Sequence, residues 1–106
     1  MKFLDLKPGL LYKATEHGLL YVSQSWTKIL ITEPDISFFA KGVPFEKHIL
    51  IISKPEFIEL IDNSVGSLGF LEVLIMTQTG VGWLGTWVTQ NDSNYGGNIT
   101  IALEPS

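Results

Sequence analysis

The sequence predicts an all-β domain, a small barrel or sandwich, and three observations carry that prediction. No apolar run is longer than strand-sized stretches such as Ile49 to Ile52. Turn chemistry punctuates the chain about every 8 to 12 residues, the spacing of short antiparallel strands. Phe70 to Val88, FLEVLIMTQTGVGWLGTWV, reads as strand, glycine turn and returning strand.

Met1 to Leu6 leads in as an arm or edge strand. Pro8-Gly9 then breaks the chain, and Leu10 to Ala14 begins the first strand. Thr15 to Gly18 has turn chemistry, so Leu19 to Ser23 is expected to return as the partner of that strand in a hairpin. Thr27 to Thr32 alternates Lys28, Leu30 and Thr32 against Ile29 and Ile31, which has the period of a strand. Glu33-Pro34-Asp35 turns the chain, and Ile36 to Ala40 follows as a short strand. In Lys47 to Ser53, four consecutive apolar residues call for cover on both faces, the second supplied by the same chain or by a neighbouring subunit. Ser53 with Glu56 three residues on forms a capping pattern, and Pro55 fits a first turn, so a short helix is expected near 54–62. Asn63 to Gly69 reads as a loop, TQNDSNYGGN after Val88 as a surface loop, and Asn98 to Leu103 as a closing half-buried strand.

A chain of 106 residues fits one domain, 1–106, able to bury a core without disulfides or metals. It is 45% hydrophobic with a mean hydropathy of +0.25, and only 17% of its residues are charged, against about 25% in ordinary soluble proteins. That balance predicts surface covered by another subunit. Net charge is −4, arginine is absent and the seven lysines are scattered, which argues against nucleic-acid binding. The absence of cysteine excludes a disulfide scaffold and a thiolate nucleophile. Asp5, Lys7 and Pro8 interrupt the N-terminal apolar stretch, so no export signal is read, no run reaches membrane-spanning length, and an intracellular location is expected.

From Lys7 onward the order of features resembles an SH3-like small barrel of bacterial or viral type: a Pro-Gly-opened strand, a long insertion (residues 15–46), an apolar strand, a distal hairpin and a last strand. Gly82-Trp-Leu-Gly-Thr-Trp-Val88 is similar to that family's segment of glycine, apolar pair, proline, polar residues, aromatic and valine. Gly85 stands where the family has proline, and one residue is missing before Trp87. The tryptophan pair of the peptide-binding members has no counterpart in Phe70-Leu-Glu-Val-Leu-Ile, so the resemblance implies a binding, assembly or targeting module rather than a reader of proline-rich peptides. A small β-sandwich or an OB-like barrel is the alternative architecture.

Signals of catalysis are weak. Gly80-Val-Gly-Trp-Leu-Gly85 satisfies the three-glycine dinucleotide pattern, but that pattern needs its last glycine to open a helix, and Thr86, Trp87 and Val88 favour a strand. His17 and His48 have no second ligand at metal-binding spacing. No serine stands in a nucleophile elbow, and the acid pairs Glu56/Glu59 and Glu33/Asp35 read as solvated loop charges. No catalytic residue, cofactor or metal is assigned, and the chain is read as a non-enzyme.

Aromatic residues are the informative set. Trp83 and Trp87 are four apart and share one face of an unbroken strand. With Trp26, Phe38 and Tyr95 they are the candidate interface or ligand-binding residues, since tryptophan and tyrosine act as anchors at interfaces. The bland alternative is that the tryptophans plug the barrel ends. Two functions follow: a module that self-associates or docks on a protein partner through apolar strand faces, or a barrel that binds a small molecule or glycan, with or without enzymatic activity, through Trp, Asn and Tyr.

Overall fold

The computed structural model describes residues 1–16, 18–32, 40–43, 47–62, 67–89 and 96–106. In chain order it runs β1 (Leu11–Ala14), β2 (Leu19–Val22), α1 (Trp26–Thr32), β3 (Lys41–Val43), β4 (His48–Ile51), β5 (Glu56–Asp62), β6 (Ser67–Thr77), β7 (Gly80–Thr89) and β8 (Leu103–Pro105). The strands form one antiparallel sheet in the order β3-β2-β7-β6-β4-β1-β8, with β5 also paired to β6. The sheet curls into a half-barrel, so the all-β reading holds.

The β6–β7 hairpin is the spine. Its register runs from Ser67 opposite Thr89 to Thr77 opposite Gly80, closed by Gln78 and Thr79. Along β6 the pleat sends Leu71, Val73 and Ile75 inward and Phe70, Glu72, Leu74 and Met76 outward. The inner set joins Tyr12, Ala14, Ile49, Ile51, Tyr21, Leu84 and Leu103 in the main core. Burying each large aliphatic chain there contributes roughly 1.5–3 kcal/mol. Phe3 and Leu6 enter the same core from the N-terminal segment. A 3-10 turn at Phe3–Asp5 and an isolated bridge between Lys2 and Thr100 hold that segment in place.

Three expectations are corrected. β1 does not form a hairpin with β2: it pairs with β4 and β8, while β2 pairs with β3 and β7. Trp26–Thr32 is a helix, not a strand. Its alternating pattern yields to packing, because Trp26 and Ile29, three apart, both bury on the outer face of the sheet against Val22 and Phe70. Glu56–Asp62 is a strand, not a helix. β6 extends beyond its pairing with β4, and the backbone groups of its N-terminal half need partners, which β5 supplies from Glu56 opposite Glu72 to Asp62 opposite Ser67. The expected strand at 36–40, apart from Ala40, and residues 90–95 of the expected loop at 89–98 fall outside the described residues; of the expected loop at 63–69, residues 67–69 belong to β6 and 63–66 lie outside the described residues. The expected closing strand is reduced to the bridge at Thr100 and the short β8.

Ser53 does cap, but it caps a change of partner rather than a helix. Where β6 passes from β4 to β5, the Ile52 N–H still donates to the Leu74 carbonyl (2.8 Å), while the Leu74 N–H donates to Ser53 Oγ (2.9 Å) instead of to a backbone carbonyl. The side chain replaces one rung of the ladder, and the strand bends there. Ser53→Ala leaves this N–H without its acceptor and is expected to cost about 1–3 kcal/mol, measured by urea denaturation. Ser53→Thr, which keeps the oxygen, should recover part of that loss.

Candidate binding face

Each glycine of the Gly80, Gly82, Gly85 set has a structural task. Gly80 opens β7 at φ +133°, a conformation that L side chains rarely adopt. A Cβ on Gly82 would strike the Tyr21 ring on the inner face, and a Cβ on Gly85 would strike the rings of Phe70 and Trp26 on the outer face. The pattern therefore belongs to an antiparallel strand flanked by aromatic rings, and no helix opens at its last glycine.

On the outer face at β7, α1 covers one end of the sheet. Trp26 is buried there and its indole N–H donates to the Trp83 carbonyl at 2.6 Å. Its ring lies 6.1 Å from that of Phe70, which meets Trp87 edge to face at 5.3 Å. Trp83 and Trp87 share the outer face, as their spacing requires: Trp83 is half-buried against the α1 cluster and Trp87 is 41% exposed. Of the five residues singled out, Trp26, Trp83 and Trp87 thus come together, with Trp26 as a core residue and Trp87 as the open one. Phe38 and Tyr95 lie outside the described residues.

Glu72, which sequence reasoning passed over, lies beneath α1 and is 4% exposed. Its two carboxylate oxygens are 2.8 and 2.9 Å from Ser25 Oγ, which is 2.7 Å from the Thr27 hydroxyl. With the Ser25 proton committed to the carboxylate, Thr27 is the donor to Ser25. The two hydroxyls flank Trp26, so the buried carboxyl group ties the start of α1 to β6. So enclosed, the pair works as a clamp.

Beyond α1 the described residues leave part of the outer face open. Register places Leu11 opposite Leu50, Leu50 opposite Met76 and Met76 opposite Val81, an apolar row across β1, β4, β6 and β7. Leu11 is 52%, Met76 43% and Val81 50% exposed. Ile52, Leu74 and Trp83 make a second row beside it, since Ile52 bonds to Leu74 and Leu74 stands opposite Trp83. Sequence held one clue to this face, the unbroken run Ile49 to Ile52: Ile49 and Ile51 are buried, while Leu50 is half-buried and Ile52 exposed on the outward side.

A cleft of about 420 Å³ opens where β2 and β7 part beyond the Tyr21–Leu84 pair. Its lining includes Leu20, Phe70, Thr86, Trp87, Thr100 and the carboxylate-bearing Glu16. Among the described residues no cluster of three metal-ligating side chains exists. Comparison with protein families, with curated proteins and with solved structures finds no match to this chain.

Two outcomes are expected. Gly85→Ala displaces the Phe70 and Trp26 rings, lowers stability by about 1–3 kcal/mol and alters the tryptophan emission, read by chemical denaturation and fluorescence. Ser25→Ala removes the hydroxyl donor from a buried carboxylate and is expected to cost about 1.5–3 kcal/mol in the same assay, with Ser25→Thr less damaging.

Proposed function

We propose that this chain is a non-enzymatic binding and assembly module, in keeping with its SH3-like resemblance, that self-associates through the outer face of the sheet. The observation that carries this reading is the double row of apolar side chains on β1, β4, β6 and β7, of which Leu11, Ile52, Met76 and Val81 are exposed. Such a face is costly to hydrate, and an exposed apolar patch of roughly a few hundred Å² is often a functional surface.

A second copy suits this face for two reasons. The adjoining Lys13 and Glu104 pair at 3.2 Å, so the rim carries both signs of charge and can meet its own counterpart around a two-fold axis. The rows also lie on one sheet face, which can pack against the same face of a second copy. Magnitude sets the expected strength. A patch on the order of 300–400 Å² is well short of the roughly 800 Å² per partner of a standard interface, so association through the bare face alone is weak. Because each copy carries −4, added salt screens repulsion and strengthens the pairing.

The cleft beside Trp87 supports a second reading, a site for a small molecule or a sugar ring. Trp87 offers an exposed aromatic surface, and Thr86, Thr100 and Glu16 offer polar partners. A panel of sugars and nucleotides read by tryptophan fluorescence tests it; silence across the panel removes this reading and leaves the first.

Sedimentation velocity over a wide concentration range is expected to reveal a monomer–dimer equilibrium in the micromolar range or weaker that tightens with salt. Met76→Lys and Val81→Lys should shift it to monomer while changing stability by less than about 0.5 kcal/mol, since both side chains are exposed. A chain that stays monomeric at every concentration, with Met76→Lys indistinguishable from it, rules self-association out.

A further inference from the structure

At the mouth of the half-barrel, Tyr21, Val43, Lys47, His48, Thr77 and Thr79 line a cavity of about 190 Å³. Its polar groups include a cluster of three hydroxyls. The Tyr21 hydroxyl lies 2.7 Å from Thr79 Oγ1 and 3.2 Å from Thr77 Oγ1, the two threonine oxygens are 3.0 Å apart, and the Thr77 hydroxyl donates to the Gly80 carbonyl at 3.2 Å. Around this hydroxyl triangle stand the Lys47 ammonium, the His48 ring and the Gln78 amide. Lys41 stands opposite Tyr21 in the β2–β3 register, on the same face of the sheet. Among the described residues the lining holds no carboxylate, although the chain as a whole carries −4.

The phenol reports the local field. Burial alone would raise its pKa, but hydrogen bonds with Thr77 and Thr79 and the positive charge of Lys41 outweigh burial and bring it below the ordinary tyrosine value. An environment that favours phenolate favours other oxyanions.

We propose that this mouth is a binding site for a phosphate group, free or as a small phosphomonoester, held by Lys41 and Lys47 and oriented by the hydroxyls of Tyr21 and Thr79. Donors from β2 and the β6–β7 turn suit a tetrahedral anion better than a planar carboxylate, and two ammonium groups match a dianion better than a monoanion. The volume admits a phosphate with a short substituent and excludes a large one. The site is separate from the outer apolar face and does not depend on self-association.

The test titrates inorganic phosphate into the full chain at constant ionic strength, with sodium chloride as the matched control. The chain has only two histidines, so the ring signals of His48 are read by NMR against His17. Expected results are a saturable shift of the His48 signals that His17 does not follow, a rise in the Tyr21 titration midpoint with phosphate bound, and at least a tenfold loss of affinity in the Lys41→Ala/Lys47→Ala double variant. Both lysines are exposed, so that variant is expected to fold. Glycerol phosphate binding tighter than inorganic phosphate assigns the ester as ligand, and equal or weaker binding assigns the free ion. Unsaturable shifts common to both histidines, acetate binding as tightly as phosphate, or undiminished binding by the double variant each overturn the proposal.

Discussion

The constraint on which the rest of this structure depends is that one long strand, β6, must satisfy two edges at once. β7 pairs with it along nearly its whole length on one side. On the other side β4 takes its C-terminal end and β5 its N-terminal half. Ser53 bridges the changeover, with its hydroxyl standing in for a backbone carbonyl. Because buried backbone groups must be paired, the length of β6 dictates that the segment after Ser53 be a strand, whatever its local preference.

The pleat of β6 then divides the molecule into faces. Leu71, Val73 and Ile75 build the inner core, and a slip of one residue would exchange them for Glu72, Leu74 and Met76. Along the outer face the same strand passes from covered to bare: Phe70 and Glu72 lie under α1, Leu74 is half-buried and Met76 is open. Structural clamp and proposed docking surface are therefore neighbours on one strand, four residues apart.

Glycines and rings complete the arrangement of β7. Gly82 makes room for Tyr21 on the inner face and Gly85 for Phe70 and Trp26 on the outer one. The Tyr21 ring brings its hydroxyl to the turn threonines at the barrel mouth, so the core residue and the polar rim belong to the same side chain. Trp87, next along β7 on the outer side, has only Phe70 as a described ring partner and stays open to solvent.

Strong local signals were legible in the chain itself. The alternation and turn chemistry of Phe70 to Val88 determined the hairpin within a few residues, the spacing of Trp83 and Trp87 determined their common face, and Ile49 to Ile52 carried the sign of a strand with apolar residues on both sides. Tertiary structure alone decided the identity of 26–32 and 56–62, because there short-range pattern competes with the burial of Trp26 and Ile29 and with the open edge of β6. It also decided the sites. Leu11, Leu50, Met76 and Val81, like Tyr21, Lys41, Lys47 and Thr79, are distant in sequence and meet only through strand register, which composition and spacing do not encode.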